Sequence, residues 1–311
     1  MENESVADKK TTSPPRGRGF WAEAWRRFRR RKLAMTALSA VGFLALVALL
    51  SPAIAGTKPV VCRYKGTLYF PAMGYFQDSW ENPIFLTDKF YGVYPQHLKE
   101  KDPESWAIWP LVYQDPSRRI REGEWPGQPA NEQYATPNRW NLCGTTSEGH
   151  DVFAQMVHGC KIALLVGFVS TGISAFIGIC VGAVAGYFGG WTDVLLSRII
   201  EVVMCVPSLV LILALIAVVE NPTIWHVMAV LGVTGWTGIA RLTRGEFLKL
   251  SSAEYVMAAK ALGASRPRIM FRHILPNALA PVLTPISFGI AAAILIESGL
   301  SFLGLGDPSA R

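Results

Sequence analysis

The sequence predicts an all-α polytopic membrane protein that has five visible spans and a large irregular external insert after the first span. Only 17% of its 311 residues are charged, whereas soluble domains average about 25%. The charges also avoid five long stretches, and a helix needs about 20 apolar residues to cross a bilayer core. The uncharged stretches are residues 33–57, 162–192, 202–219, 221–240 and 274–296.

The basic N-terminal tail, residues 1–32, predicts the orientation of the chain. It carries ten Lys/Arg against four Asp/Glu and ends in RRFRRRK at 26–32, directly before the first transmembrane helix at 33–56. Cytoplasmic segments beside a span carry an excess of positive charge, and anionic lipid attracts them. We therefore expect a cytoplasmic N-terminus that contacts membrane lipid, and no binding of nucleic acid.

The first span is expected to stay in the mature protein. PAIAG at 52–56 has the small residues of a signal-peptide cleavage site. However, the apolar run before it is longer than the roughly 7–15 residues of a signal-peptide core.

Residues 57–150 are predicted to form an external insert that folds on the outer face of the membrane. They contain five tryptophans and many Pro and Gly, and such aromatic content is not typical of a flexible linker. Cys62 and Cys143 flank the insert, and a disulfide between them is left open because spacing does not supply the geometry. The five His of the chain show no metal-site spacing.

Residues 151–311 are predicted to form the main transmembrane domain, with spans at 161–187, 194–218, 224–241 and 277–303. The segment at 241–272 carries seven Lys/Arg against two Asp/Glu, which is typical of a cytoplasmic loop. This loop and the N-terminal tail independently indicate the same sidedness. After an odd number of spans, the C-terminus is expected outside.

The second predicted span has a face of small residues at every fourth position. Such spacing lets helix backbones approach closely, because lipid gives apolar helices no hydrophobic reason to associate. We expect Gly178, Gly182 and Gly186 to pack against another helix or subunit. The full repeat comprises Ser170, Ser174, Gly178, Gly182, Gly186 and Gly190.

The basic loop contains EYVMAAKALGASRPRIMFRHILPN at 254–277, which predicts two short helices. Ser251 and Glu254 have the spacing of a capping box, so the first helix is expected to begin near residue 252. Gly263 is expected to end it, because glycine adopts left-handed backbone at low cost. The apolar face of this helix is predicted to contain Tyr255, Ala258, Ala259 and Leu262.

The second helix of this loop is expected to begin at Ser265 and Pro267, which suit a first turn. Pro276 is expected to close the segment at the mouth of the last span. The alternative is an amphipathic helix resting on the inner leaflet. Small residues such as Ala258 and Ala259 bind lipid weakly but fit a groove in a protein, which favours a protein partner.

The same residues resemble the coupling motif of ABC importer permeases, whose pattern is E-A-A, three residues, Gly, nine residues, I-x-L-P. Ala258, Ala259 and Gly263 stand at the motif spacing, and Leu275-Pro276 closes it, whereas Met257 replaces the usual Glu and His273 the usual Ile. The resemblance implies that residues 241–275 form a cytoplasmic coupling loop. It also implies ATPase contact through Tyr255, Ala258, Ala259, Gly263 and Pro276.

Further segments resemble the dipeptide/oligopeptide/nickel branch of these permeases. They are GTTSEGHDVFAQMVHG at 144–159, GYFGGWTDVLLSRIIEVVMCVPSL at 186–209 and SGLSFLGLG at 298–306. In the first, Thr146 stands where Asp is usual and His150 where Arg is usual. KPVVCRYKGTLYFP at 58–71 resembles the external insert of microcin C-type members.

The resemblance implies a subunit of six spans in a bacterial inner membrane, so that the chain is expected to be truncated at its C-terminus. It implies ABC ATPase subunits, a second homologous permease and an extracytoplasmic solute-binding protein as partners. No G-x-x-x-x-G-K-[ST] phosphate loop occurs. We therefore expect no enzyme activity and no cofactor in this chain, with ATP bound by the partner subunits.

Other classes of carrier stay open at this point. Ionisable residues at membrane depth are functional candidates, so Glu201 and Glu297 are candidate pathway residues, although Glu201 could simply pair with Arg198 one turn earlier. A proton-coupled secondary transporter would use such carboxylates, but it would not need the coupling helices. For an importer, dipeptides or oligopeptides are the preferred substrate, and nickel or another small solute is the alternative.

Overall fold

The computed structural model describes residues 25–26, 28–72, 98–99, 102–117, 136–220 and 222–305. The chain divides into two compact units, Met1–Leu46 and Val47–Arg311. About half of the insert predicted at 57–150, including Trp80 and Trp125, lies outside the described residues.

The first apolar stretch forms helix α1 (Lys32–Leu49), followed by the short helix α2 (Ser51–Ile54). Pro52 lies in the first turn of α2, where a missing N–H costs no hydrogen bond. The predicted single span at 33–56 is therefore one long helix followed by a separate turn.

The described part of the insert contains a three-stranded antiparallel sheet in which β1 (Val61–Tyr64) lies between β2 (Thr67–Tyr69) and β3 (Trp106–Ile108). Lys65 and Gly66 join β1 to β2 with positive φ angles of 47° and 80°, as a tight primed hairpin turn requires. The sheet is thus more regular than the sequence predicted.

Both thiols of the candidate disulfide are free in the structure. Cys62 is fully buried on β1 beside Leu98, and Cys143 is exposed. Burial raises the pKa of the Cys62 thiol to about 11, because desolvation disfavours the thiolate.

Helix α3 (Val152–Phe188) is the central element of the larger unit. Asp151 begins it as N-cap, and its Oδ1 accepts a 2.7 Å hydrogen bond from the Ala154 N–H. Asp151 is fully buried, and its Oδ2 has no hydrogen-bond partner, so desolvation raises its pKa. The preceding turn is closed by Thr146, whose Oγ1 accepts from the His150 N–H at 3.1 Å.

The third and fourth apolar stretches form two broken helix pairs. Helices α4 (Gly190–Cys205) and α5 (Ser208–Ala217) meet at an angle of 81°, with Pro207 at the junction. Helices α6 (Ile224–Thr234) and α7 (Trp236–Ser251) are separated by Gly235. The charged residues after 240 end the apolar run but not the helix, so the predicted loop at 241 begins as a continuation of α7.

After α7 come α8 (Glu254–Ala261), the single turn α9 (Arg266–Arg268), a π-helical segment (Ile269–Ile274) and α10 (Leu275–Phe302). Among the described residues, Lys32–Leu49, Val152–Phe188 and Arg266–Phe302 are long and apolar enough to cross a membrane, and the bent α4–α5 pair could be a fourth span. A mostly helical membrane fold is confirmed, whereas the count of five spans stays a prediction.

The helix bundle has two buried clusters. One joins α3, α5, α6 and α10 through residues that include Val166, Ile216, Met228 and Leu300. The other lies where α3, α7, α8, the π segment and α10 meet, around Phe247. The second cluster positions the predicted coupling loop.

Candidate functional site

The start of α8 differs from the sequence prediction. Ser251 is still the last residue of α7, and its hydroxyl donates to the Leu248 carbonyl at 2.9 Å. Helix α8 begins at Glu254 after Ala253, with no side-chain cap. The predicted capping box is therefore wrong, because the hydroxyl that would form it bonds back into the preceding helix.

Helix α8 is held by one buried residue that the sequence pattern did not single out. Val256 is fully buried against Phe247, Ile269 and Ile274, and Ala259 packs half-buried at the edge of the same cluster. These contacts join α8 to α7 and to the helix that follows, so the small helix is attached to the bundle through a packed apolar base.

The predicted apolar face of α8 points mostly away from the protein. Tyr255 is 41% exposed and Leu262 is 88% exposed, and Ala258 between them is exposed as well. Met257, where the motif usually has Glu, is 52% exposed beside them. Of the four residues predicted for one face, Ala259 packs on the buried cluster, and the Tyr255 hydroxyl accepts a 3.4 Å hydrogen bond from Asn277 of α10. Ala258, Leu262 and part of the Tyr255 ring form an exposed apolar surface among the described residues.

Gly263 ends α8 in a Schellman motif. Its φ is +77°, its N–H donates to the Lys260 carbonyl at 3.0 Å, and the Ala264 N–H donates to the Ala259 carbonyl at 3.0 Å. These two bonds satisfy carbonyls that the helix end would otherwise leave unpaired. The predicted glycine turn is present, and it fixes the angle between α8 and the second helix.

The second helix starts as predicted, with Ser265 as N-cap residue and Pro267 in the first turn. It does not stop at Pro276, however, because Arg266–Phe302 is continuous. The Leu275 N–H donates to the carbonyl of Met270, five residues earlier in the chain, as in a π-helix. Pro276 is exposed in the first turn of α10, where its missing N–H is tolerated, so it does not separate the loop from the last helix.

The glycine face of α3 lies against α7. A Cβ built on Gly178 would lie 2.8 Å from the Trp236 carbonyl oxygen, and one on Gly186 would lie 2.6 Å from the Arg244 carbonyl oxygen. Gly182 meets the same helix at Thr243, whose Cβ would be 2.7 Å away. The two backbones approach so closely that no side chain fits between them, which is the arrangement that the four-residue spacing predicts.

The two candidate pathway carboxylates are not brought together. Glu201 forms a 2.6 Å ion pair with Arg198, and both side chains are largely exposed. Glu297 accepts a 2.7 Å hydrogen bond from Ser301 on its own helix. Glu201 lines a cleft of about 450 Å³ that also includes Arg241, so the local pairing considered for Glu201 is what the structure contains.

Two features were missed by sequence reasoning. Arg244 of α7 forms a double ion pair with Asp193 of α4, although the sequence analysis counted Arg244 only as a loop charge. A second cavity, of about 280 Å³, is lined by hydroxyl side chains that include Ser170 and Ser174. The four-residue repeat contained both serines, but it indicated only that they are small.

No metal site is formed by the part of the chain that the structure describes, since no three His, Cys, Asp or Glu there lie close enough to share an ion. The described site consists of an exposed apolar helix face on a packed base, and of a hydroxyl-lined cavity between the helices.

Residues 178–311 match the family described as "Binding-protein-dependent transport system inner membrane component". Residues 19–67 match the family described as "N-terminal TM domain of oligopeptide transport permease C". The two matches together include α1, α2, β1 and all helices from the last third of α3 onward.

Individual relatives extend the similarity over most of the chain. The peptidoglycan transport system permease protein YejE of Agrobacterium fabrum is 32% identical over 91% of this chain and 78% of its own length. The inner membrane ABC transporter permease protein YejE of Escherichia coli is 32% identical over 91% and 81%. The dipeptide transport system permease protein DppC of Bacillus subtilis is 40% identical over 76% and 70%.

A crystal structure of an amino acid ABC transporter with histidines also matches, over 46% of this chain and 68% of that chain. The identity is 18% and the TM-score is 0.36, values too low to establish a shared fold.

Proposed function

The chain belongs to the family of binding-protein-dependent transport system inner membrane components, which are permease subunits of ABC importers, and on that premise we propose that it imports peptides and receives its driving force through α8. Peptide is preferred to nickel because the names of three relatives specify peptidoglycan, dipeptide and oligopeptide transport. A second homologous permease and a solute-binding protein complete the proposed importer.

The exposed apolar face of α8 is the observation that carries the coupling proposal. Ala258, Leu262 and part of the Tyr255 ring are exposed on this helix, while Val256 is buried in the bundle. Exposed apolar surface that borders charged residues is typical of a docking site. Here Glu254 and Lys260 border it on the same helix, which fits a protein groove better than the interior of a lipid leaflet.

Movement of a docked ATPase would reach the bundle through the packed base of α8. Val256 contacts Phe247 of α7 and Ile274 of the last helix within one buried cluster, and well-packed elements transmit displacement because protein interiors are nearly incompressible. In this proposal the ATPase closes, α8 is displaced as a rigid body, and α7 and α10 move with it.

The proposed orientation places the N-terminus and residues 241–275 in the cytoplasm and the sheet of the insert outside. The support is the charge distribution: both the tail and the loop are rich in Lys and Arg, and positive charge is retained on the cytoplasmic side. The solute-binding protein would then dock on the side of the insert, and the ATPase on the side of α8.

The test is a pull-down from detergent with the partner ATPase subunits. We compare wild type, Ala258→Arg on the exposed face of α8, and Gly245→Arg as a matched control. Gly245 is an exposed helical residue of α7 with no atom within 4 Å of a built Cβ, so the control adds the same charge to the same loop without disturbing packing. Wild type and Gly245→Arg should retain the ATPase, and Ala258→Arg should lose it.

Equal retention by all three proteins would contradict docking at α8 and would make the lipid-surface helix the better account. Ala259→Arg is a poorer choice of variant, because Ala259 packs on the chain's own core and its loss of binding would not separate docking from misfolding.

A further inference from the structure

A cavity of about 280 Å³ lies within the helix bundle and is lined by residues of α3, α5, α6, α7 and α10. Its α10 wall includes the small residues Gly289, Ala292 and Ala293 beside Pro285 and Ile296, and the small residues leave room that larger side chains would fill. The cavity is thus built from every long helix that follows the insert except α4.

Five of the residues that line the cavity carry hydroxyl groups. Two of them are satisfied by the chain itself: Ser174 donates to the Gly232 carbonyl at 2.8 Å, and Thr234 donates to the Val230 carbonyl at 2.8 Å. The hydroxyl residues in the lining are Ser170, Thr171, Ser174, Ser208 and Thr234.

Ser170 is the most deeply buried of these hydroxyl residues. It is only 1% exposed, and among the described residues its Oγ has no hydrogen-bond partner. Buried hydroxyls almost always have a partner, because leaving one unpaired in an apolar environment costs free energy. An unpaired, buried hydroxyl in the lining of a cavity indicates that the cavity accommodates a polar group that can pair with it.

The lining also restricts what that polar group can be. None of the described residues that line the cavity is charged, whereas a site for a cation such as nickel uses imidazole, thiolate or carboxylate ligands. A serine hydroxyl both donates and accepts, so it can pair with either the N–H or the C=O of an amide. This chemistry fits the main chain of a peptide and does not depend on its side chains.

We propose that this cavity is a solute subsite on the translocation path, in which the Ser170 hydroxyl hydrogen-bonds to a main-chain amide of the passing peptide. The inference rests on the proposed function as a peptide importer and assigns the residues that the peptide would contact. The volume is just below the roughly 300–1,000 Å³ of sites that enclose whole small molecules, so the cavity holds a short segment of a peptide at a time.

The first test fills the cavity. The permease is reconstituted with its partner ATPase, permease and solute-binding subunits in proteoliposomes, and uptake of labelled tri-alanine is measured. Both Ala291 and Ala292 are exposed, but Ala292 lines the cavity and Ala291 does not. Ala292→Trp therefore adds an indole to the lining, whereas Ala291→Trp adds the same group beside it. Uptake should fall about tenfold or more for Ala292→Trp and stay within about twofold for the control.

The second test removes the hydroxyl oxygen of Ser170. Ser170→Ala should raise the apparent KM for tri-alanine about fivefold at unchanged maximal rate, as expected for one lost neutral hydrogen bond. Ser287→Ala is the control, because Ser287 is exposed and bonds only to the Leu283 carbonyl of its own helix. ATP hydrolysis and ATPase pull-down should be unchanged in all variants, which separates loss of the subsite from loss of folding.

Equal uptake by Ala292→Trp and Ala291→Trp would overturn the proposal, and so would an unchanged KM in Ser170→Ala, since water alone would then satisfy the hydroxyl. Failure of the proposed function is distinguishable: the wild-type complex would hydrolyse ATP in response to its binding protein but take up neither tri-alanine nor any other peptide. In that case the subsite assignment would fall with the function on which it rests.

Discussion

The guanidinium of Arg244 in α7 pairs with both carboxylate oxygens of Asp193 in α4. Its Nε donates to Oδ1 and one terminal nitrogen donates to Oδ2 at 2.7 Å, and both side chains are mostly shielded from solvent. Such bidentate pairing is the strong form of an ion pair, because the geometry of the planar guanidinium matches that of the carboxylate. It ties the helix that leads into the coupling loop to the helix that follows α3.

Arg244→Met should destabilise the permease, because it leaves the Asp193 carboxylate shielded and unpaired. We expect a loss of about 1–3 kcal/mol in the free energy of unfolding. Thermal unfolding in detergent, followed by tryptophan fluorescence, measures it. Arg198→Met is the matched control, since the Arg198–Glu201 pair is exposed and such pairs contribute about 1 kcal/mol or less. Equal losses in the free energy of unfolding would show that the shielded pair contributes no more to stability than the exposed pair.

Gly182→Ala should weaken the contact between α3 and α7. The new Cβ would lie 2.7 Å from the Cβ of Thr243, so one helix would have to move, at a cost of about 1–3 kcal/mol. Gly172→Ala on the same helix meets no atom within 4 Å and should be neutral or slightly stabilising. The comparison is read from thermal midpoints of the purified protein, and a neutral Gly182→Ala would contradict the tight packing.

Gly263→Ala should destabilise the permease by straining its backbone conformation, not by a steric clash. A Cβ there meets nothing within 4 Å, but φ is +77°, and a left-handed conformation costs an L-residue about 1–2 kcal/mol. Gly245→Ala also adds a methyl group into open space, but in an ordinary helix, where it should stabilise by about 1 kcal/mol. Opposite shifts of the thermal midpoint are therefore expected, and shifts of the same sign would argue against the Schellman turn.

Cys62 and Cys143 should differ sharply in reactivity. At pH 7 a membrane-impermeant maleimide added from outside should label the exposed Cys143 within minutes and leave the buried Cys62 unlabelled. The pKa of Cys62 is about 11, so its thiolate is absent at neutral pH. Mass spectrometry of peptides from labelled cells or spheroplasts identifies the modified cysteine, and rapid labelling of both would contradict burial.

The same pKa predicts a dependence of stability on pH. The pKa of Cys62 is raised on folding from an ordinary value of 9.0 to about 11, so its burial stabilises the fold fully below pH 9. This contribution decreases as pH rises from 9 towards 11, because only the unfolded chain releases the proton. A Cys62→Ala variant should lose less stability than wild type over that pH interval, when both are unfolded in urea.

Sequence patterns predicted local features well where a single residue type decides them. The left-handed turn at Gly263 follows from the absence of a Cβ, and the first turn at Pro267 follows from its fixed φ. The sequence pattern wrongly predicted that Ser251 caps α8. A serine hydroxyl at this position can cap the next helix or bond back into the helix that it ends, and only the extent of α7 decides between these two arrangements. Pro276 was misread as a boundary because a π turn accommodates it.

By itself, the sequence determined the membrane class, the helical content, the family and the position of the glycine turn at Gly263, since these depend on composition, spacing and the order of motifs along the chain. The tertiary structure decided which side of α8 is covered, that Glu201 pairs locally, and that Arg244 reaches Asp193, 51 residues away in sequence. It also decided that Ser170 lines a cavity. These features depend on which helices become neighbours, and spacing within one helix carries no information about the helix that packs against it.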